Sequence, residues 1–181
     1  MKLLEKELKN LLRKHPALVE VLVHAQKLRE FRLPDLAKSC SGVKTSIIRR
    51  YIRPFMKMNI IYRKEEGVYC FNDLFDSVIS NILNQLNIIL HTEKFLLMED
   101  KRYYILLINR RKGIYVKRLD KKVIEAIQRN SQILPREFSL KDLYTKLNMP
   151  KPLASLALKI MCLINIIEKK KVNNRTVYSF K

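Results

Sequence analysis

A pattern of three segments occurs twice along the chain, and this repeat constrains the fold more than any other feature. Each copy has a Phe-x-Leu-x-Asp-Leu start, an Asn-Ile-Ile junction and a closing segment with alternating aromatic residues. The first copy comprises residues 31–36, 58–64 and 68–71, and the second comprises residues 138–143, 164–170 and 177–180. Because the order of the three segments is the same in both copies, the repeat indicates one supersecondary unit used twice.

The first copy is typical of a short helix, a turn and a longer helix. Residues 35–39 suit the short helix, and Gly42 suits the turn because glycine adopts positive φ without steric cost. Over residues 44–58, apolar side chains recur with the period of a helix: Ile48, Tyr51, Ile52 and Phe55. Asn59 suits the left-handed residue that ends a helix, whereas Pro54 predicts a kink or an early stop.

Two alternating segments follow the longer helix and predict a β-hairpin. Residues 60–64 and 68–71 alternate in the manner of strands, and residues 65–67, which read Glu-Glu-Gly, supply the turn between them. The second copy ends in the same way. Each copy therefore predicts a helix-turn-helix followed by a two-stranded hairpin.

This order of elements resembles the winged helix-turn-helix, and its duplication resembles tandem winged-helix DNA-binding proteins over residues 17–71 and 121–181. The resemblance implies an α+β fold, mainly α with small β-hairpins, in which two winged helix-turn-helix units are joined by a long helix and a short antiparallel β segment. It divides the chain into an N-terminal winged helix with a leading helix (1–72), a connecting segment (73–119) and a C-terminal winged helix (120–181).

Patterns outside the repeat predict the remaining elements. Leucines on one face predict a leading helix over residues 3–14, and residues 17–30 form the first helix of the first unit. After the hairpin, Asn72 caps a long helix that runs to about residue 90. Asp120 caps the helix that opens the second unit, residues 121–130. Three strand-like segments lie between these helices, at residues 94–98, 102–109 and 114–119.

The chain is strongly basic. Its 37 Lys and Arg residues face 17 Asp and Glu residues, which gives a net charge of +20 and an isoelectric point near 10.0. Such an excess favours polyanionic partners, most often nucleic acid, although a generally lysine-rich proteome is an alternative. The distribution favours nucleic acid, because three basic stretches contain no Asp or Glu: residues 36–64, 101–118 and 169–181. We therefore expect double-stranded DNA as the partner.

In helix-turn-helix proteins the second helix lies in the major groove. In the first unit this helix has a face without Asp or Glu, and its predicted DNA-binding residues are Lys44, Thr45, Ser46, Arg49, Arg50, Arg53 and Lys57. Arginine pairs bidentately with guanine, and serine and threonine bond to phosphates; a solvated charged face is the alternative. The hairpins are predicted to contact the phosphate backbone through Arg63, Lys64, Lys169, Lys170, Lys171 and Arg175.

The corresponding helix of the second unit has a different character. Residues 152–164 are apolar nearly all round, which predicts burial on more than one side. When the copies are aligned on their Asn-Ile-Ile junctions, Ser155, Leu156 and Lys159 replace the three arginines of the first unit. This helix therefore favours a protein partner over a DNA groove.

The spacing of the histidines and cysteines gives no support for a metal site or a cofactor. His15, His24 and His91 form neither HxH nor HExxH, and His24 is expected to be a core or boundary residue. Cys40, Cys70 and Cys162 contain no CxxC pair, so neither a zinc finger nor a disulfide framework is predicted. Reduced thiols, the charged N-terminus and the lack of a membrane-length apolar segment predict a cytoplasmic, nucleoid-associated protein.

Catalysis is not predicted. Glu99 and Lys101 formally fit half of a restriction-type nuclease motif, with Asp76 as a possible partner carboxylate, but a hairpin turn explains the same residues more simply. There is no glycine-rich phosphate loop. We therefore expect a double-stranded DNA-binding protein that regulates transcription. The alternatives are a replication initiator, or a winged-helix scaffold subunit of a transcription complex that acts through protein contacts.

Wide apolar helix faces predict a homodimer. The competing interface elements are residues 3–12, 74–89 and 153–163, the last two being apolar over more than one stripe. A two-fold dimer would place two basic recognition helices on one face and suit a palindromic site. The alternative is that these helices pack on each other within a monomer.

Overall fold

The computed structural model describes residues 2–181, and side chains from residue 3 onward. The fold is α+β, as predicted: 50% of residues are helical and 28% lie in strands, with eight helices and small antiparallel sheets in this described range. The chain forms two compact units. Unit 1 holds the chain up to Met98 together with Leu106–Val116, and unit 2 holds Glu99–Ile105 and Lys117–Lys181. The three-part division at residues 72 and 119 stays a prediction.

Unit 1 begins with four helices and a three-stranded sheet. In chain order these are α1 (Lys2–Lys14), α2 (Ala17–Leu28), β1 (Glu30–Arg32), α3 (Leu33–Ser39), α4 (Thr45–Lys57), β2 (Ile61–Glu65) and β3 (Val68–Phe71). The sheet is antiparallel with the order β1-β3-β2. Strand β1 was not predicted from the sequence, since three residues are too few to show a period.

Helix α4 forms where its amphipathic pattern predicts. Ile48, Ile52 and Phe55 are fully buried on one face, and Asn59 adopts the predicted left-handed conformation at φ 56° just beyond the helix. Pro54 lies inside the helix, which nevertheless continues to Lys57. The predicted early stop at this proline is therefore wrong.

After the hairpin the chain enters a short 3₁₀ turn, Asp73–Phe75, and then α5 (Asp76–Gln85); the Asn72 side chain caps the turn by accepting a hydrogen bond from the Leu74 amide. The sequence predicts that this helix continues to about residue 90, and that is wrong. Asn87 turns the backbone to φ 46°, and Ile88–His91 form strand β4 instead. Apolar residues continue across this break, so the periodicity alone does not show it.

A four-stranded antiparallel arrangement follows in the order β4-β5-β6-β7. Its last three strands are β5 (Phe95–Glu99), β6 (Tyr103–Arg110) and β7 (Gly113–Asp120), close to the three predicted segments. Each of these three strands contributes residues to both units. The β6–β7 turn, residues 110–113, belongs to unit 1.

Unit 2 repeats the helix-helix-helix-hairpin order of unit 1. It contains α6 (Lys121–Arg129), α7 (Leu140–Lys146), α8 (Lys151–Leu163), β8 (Ile167–Val172) and β9 (Arg175–Phe180). Asp120 accepts a hydrogen bond from the Lys122 amide, so it caps α6 as predicted. Asn165 adopts φ 67°, matching Asn59 in the first copy.

The two copies of the repeat also form the same aromatic contact. Phe31 of β1 pairs with Tyr69 of β3, and Phe138 forms an isolated antiparallel bridge with Tyr178. The ring centroids lie 6.1 Å apart in both pairs. The sequence repeat is thus a structural repeat. Within the described residues, no helix is both long enough and apolar enough to cross a membrane.

Candidate nucleic-acid interface

The buried stripe of α4 leaves its opposite face open, and basic residues occupy that face. Lys44, Ser46, Arg49, Arg50, Arg53 and Lys57 are exposed, whereas Thr45 is half-buried. Residues 46, 50, 53 and 57 follow one another at intervals of four, three and four, so they lie in one line along the helix. The structure therefore brings together all of the predicted helix residues, with Thr45 the least accessible.

The cations of this face have no carboxylate partner. Among the described residues, the ion pairs within 4.0 Å involve other groups and not Lys44, Arg49, Arg50, Arg53 or Lys57. Arg50 lies over the ring of Tyr51, 5.6 Å from its centroid, a cation–π contact that leaves its positive charge in place. The first turn of α4 also lacks Asp and Glu. The full positive charge of the face therefore remains available to an anionic ligand.

The β6–β7 turn enlarges this basic face at the N-terminus of α4. The Lys44 amide donates a hydrogen bond of 3.1 Å to the carbonyl of Arg111. A Cβ added to Gly113 would lie 3.8 Å from Cδ1 of Ile47, so the turn packs directly on the first helical turn. Three exposed basic residues lie in this turn: Arg110, Arg111 and Lys112.

These three residues were not predicted from the sequence to belong to the interface. The signal was present, because residues 101–118 contain no Asp or Glu, but the pairing of α4 with this turn joins segments that are far apart in sequence. The partial positive charge of a helix N-terminus adds to the same region. Arg110 in addition lies 5.4 Å from the ring centroid of Tyr115.

The hairpin β2–β3 is less basic than its sequence suggests. Lys64 forms an ion pair of 2.7 Å with Glu30 of β1, which raises the pKa of Lys64 and lowers the pKa of Glu30, chiefly through their hydrogen bond. The exposed turn carries Glu65 and Glu66. Of the two predicted cations of this hairpin, Arg63 has no carboxylate partner among residues 3–181. Its Nε donates a hydrogen bond to the Glu65 carbonyl.

The hairpin β8–β9 presents its cations on two faces. Lys169 pairs with Tyr178, Lys170 with Val177 and Val172 with Arg175 across the register. Since side chains alternate along a strand, Lys170 and Arg175 share one face, while Lys169 and Lys171 share the other. All four are exposed, and Lys170 lies 3.3 Å from Glu168. The four residues therefore cannot all approach one flat surface together.

Helix α8 differs from α4 as its sequence predicts. Ala154, Ala157, Leu158, Ile160 and Met161 are buried. Ser155 is exposed, and Leu156 and Lys159 are half-buried, at the positions aligned with the three arginines of α4. Half-buried Leu153, Leu156 and Leu163 leave an apolar strip partly open to solvent. This face lacks the cation density of α4.

The carboxylates that formally fit a nuclease motif have structural roles. Asp100 accepts hydrogen bonds from the amides of Arg102 and Tyr103, which is the pattern of a tight turn. Glu99 forms an ion pair of 2.7 Å with Lys121. Asp76 accepts hydrogen bonds from Arg29 and Gln26, which lower its pKa. A hairpin turn thus accounts for Asp100, and the lack of a catalytic role stays a prediction.

Comparison of the chain with protein-family models, with curated proteins and with solved structures finds no match.

Proposed function

We propose that the protein binds double-stranded DNA, with α4 of unit 1 as the element that enters the major groove. The observation that supports this proposal best is the face of α4, where exposed cations without carboxylate partners lie in line along the helix. A helix of this kind fits the width of the major groove. Transcriptional regulation in a cytoplasmic, nucleoid-associated setting, without a catalytic step, is the role we infer from such binding.

The residues of this face are suited to different contacts. Arg49, Arg50 and Arg53 have forked donors that suit both the O6 and N7 atoms of guanine and phosphate oxygens. Lys44, at the start of the helix, and Arg111, next to it, are placed to contact phosphates beside the helix N-terminus. The proposed interface thus combines base and phosphate contacts along α4 with phosphate contacts at its beginning.

Unit 2 has a supporting role in this proposal. Its hairpin supplies exposed Lys170 and Arg175 on one face for phosphate contacts that do not depend on sequence. Its helix α8, with half-buried Leu153 and Leu156, is suited to a protein partner. A replication initiator would use the same DNA-binding surface.

The partly open apolar strip on α8 also supports a second candidate function, a scaffold subunit that bridges a transcription complex through protein contacts. The two functions differ in one measurable property. A DNA-binding protein has duplex affinity that falls steeply with salt, whereas a scaffold of this kind has none that depends on α4.

The proposal is tested by fluorescence anisotropy with a labelled duplex and the full-length chain at fixed low salt. The variant R49A/R50A/R53A should bind at least tenfold more weakly, because three unpaired cations leave the groove face together. The matched control is K6A/R13A/K14A, which removes the same charge from exposed positions of α1. R111A should weaken binding by a smaller factor than the triple variant.

Equal losses in the two triple variants would mean that only net charge matters, and the assignment to α4 would be wrong. Wild-type protein that fails to bind duplex at low salt would favour the scaffold function instead.

A further inference from the structure

A carboxylate and two histidines meet inside unit 1, away from the basic face of α4. Glu20 and His24 are one turn apart on α2, and His91 lies on β4. His24 Nε2 lies 3.1 Å from Glu20 Oε1, and His91 Nε2 lies 3.4 Å from Glu20 Oε2. The histidine rings lie with centroids 5.2 Å apart. Sequence spacing gave no support for a metal site, because the pairing of β4 with β5 is what brings His91 to α2.

The carboxylate of this cluster is completely enclosed. Glu20 has 0% exposure, and its Oε2 atom has no hydrogen-bond partner among the described residues. The Oε2 atom lies 3.4 Å from His91 Nε2. A buried carboxylate oxygen of this kind requires a hydrogen-bond donor or a cation as its partner.

Surrounding groups hold the carboxylate in one orientation. The Asn109 side-chain amide donates 2.6 Å to Glu20 Oε1 and 3.1 Å to the Glu93 carbonyl. The Ser41 hydroxyl donates to the same Glu93 carbonyl. Asn109 is itself buried, with 7% exposure. Such outer contacts are typical of groups that orient a metal ligand.

The geometry points to a binding site for one divalent transition-metal ion, with Zn²⁺ as the best fit, held by Glu20, His24 and His91. One ligand atom from each residue can be chosen so that all three lie within 4.8 Å of one another. Neighbouring ligands of tetrahedral Zn²⁺ lie about 3.4 Å apart, given bond lengths of about 2.1 Å. The two Glu–His distances, 3.1 and 3.4 Å, involve different oxygens of the Glu20 carboxylate. A bound ion would therefore draw the three ligand atoms from within 4.8 Å of one another to this spacing.

The chemistry of the ligands supports the same ion. Imidazole nitrogen with carboxylate oxygen suits Zn²⁺, whereas Mg²⁺ and Ca²⁺ require oxygen ligands. His91 is the most open of the three, with 30% of its side chain exposed, so the ion has a path from solvent. Three protein ligands leave a fourth position for water.

A bound ion would fix elements that lead to the basic face. It would join α2 to β4, and the loop after β4 is held by Ser41 in the turn that precedes α4. We assign the site a structural role in unit 1, and this role does not depend on DNA binding.

The test uses the untagged, metal-free full-length chain. Zn²⁺ titrated by calorimetry should bind at one ion per chain with a dissociation constant of about 1 µM or tighter. Co²⁺ should give the visible d–d absorption of a low-coordinate nitrogen and oxygen site. Zn²⁺ in excess should raise the melting temperature, since an ion that binds only the native state stabilises it.

Two ligand variants and two further variants locate the site. H91A and E20Q should each weaken Zn²⁺ binding by more than 100-fold and abolish the Co²⁺ absorption. N109A, which removes an orienting contact, should weaken binding by roughly 10–100-fold while the absorption remains. His15 is exposed and outside the cluster, so H15A should bind Zn²⁺ as the wild type does.

Because His91 is on the open side of the cluster, H91A should fold, and circular dichroism verifies this. The inference is overturned by wild-type protein that binds no stoichiometric Zn²⁺. It is equally overturned by Zn²⁺ binding that persists in folded H91A, because the ions would then occupy other surface groups.

Discussion

Lys64 and Glu30 show how one contact changes the role that a residue can have. The sequence predicts that Lys64 contacts DNA from a hairpin, yet its ammonium group is 2.7 Å from a carboxylate on β1. Both groups are about half exposed, and such surface pairs contribute little to stability. The pair therefore mainly neutralises the charge of Lys64. We expect that a competing phosphate can displace the Glu30 carboxylate.

Removing the carboxylate should make Lys64 fully available. For Glu30→Gln we expect tighter duplex binding and a slope of log affinity against log salt that is steeper by roughly 0.9, the value of one additional phosphate contact. Anisotropy titrations at several salt concentrations measure this slope. Glu7→Gln, an equal charge change at an exposed position of α1, is the control. If both variants shift the slope equally, Lys64 has no specific role.

At the scale of elements, the sequence predicted where helices end better than which segments pair as strands. Asn59 was predicted to end its helix, and both Asn59 and its counterpart Asn165 adopt positive φ, because short amide side chains tolerate the left-handed region. The break at Asn87 was missed, since Ile88 and Ile89 continue an apolar pattern that fits a helix as well as a strand. The backbone conformation that a single residue prefers can be predicted from its type, whereas strand pairing depends on residues that are distant in the sequence.

The same limit applies to the candidate sites. The cations of α4 could be predicted because a helix places residues 46, 50, 53 and 57 in one line. The approach of Arg111 to Lys44, and of His91 to Glu20, could not be predicted, because each contact joins a strand region to a helix far away in sequence. Charge composition indicated that residues 101–118 are basic but not which element they adjoin.

The capping box of α7 gives a prediction at this scale. Ser139 accepts a hydrogen bond from the Asp142 amide, and Asp142 accepts bonds of 2.7 Å from the Ser139 amide and hydroxyl. Ser139→Ala should lower the free energy of unfolding by about 1 kcal/mol. Urea denaturation followed by circular dichroism measures this, and Ser155→Ala, at an exposed position of α8, serves as the control.

Part of this stabilisation should depend on pH. The bonds from the Ser139 amide and hydroxyl lower the pKa of Asp142 below its ordinary value of 3.8. A lowered pKa means that the charge stabilises the fold fully above pH 3.8 and that this contribution is lost as the pH falls through the lower, folded-state value. Asp142→Asn should therefore destabilise at pH 6 more than at pH 2.5. An equal effect at both pH values would argue against the charged cap.

At the scale of the whole molecule, the two copies of the repeated unit share a framework but differ in the surface of their second helix. The contacts Phe31–Tyr69 and Phe138–Tyr178 preserve the framework, while the second helix is cationic in one copy and apolar in the other. Division of roles between the copies is the simplest physical account. The apolar surface that remains exposed bears on a separate property, the oligomeric state.

We predict a homodimer. Leu8 and Leu12 of α1 are 1% exposed within the chain, whereas Leu3 is 71% exposed, so α1, α5 and α8 remain the competing interface elements. Leu74, just before α5, is 81% exposed. Light scattering at micromolar concentration should give twice the chain mass of 21.6 kDa, and Leu74→Glu should reduce it if the α5 region forms the interface. A wild-type mass of 21.6 kDa would contradict the predicted dimer and, with it, the expectation of a palindromic site.

The central claim is that the cations of α4 carry the contact with DNA. The most direct measurement is the slope of log affinity against log salt for one duplex, compared between the wild type and R49A/R50A/R53A. Each phosphate neutralised contributes about 0.9 to the slope. The slope should therefore become shallower by roughly 0.9 for each of the three arginines that contacts a phosphate, and by at most roughly 2.7. An unchanged slope, with only a parallel loss of affinity, would contradict the assignment of phosphate neutralisation to α4.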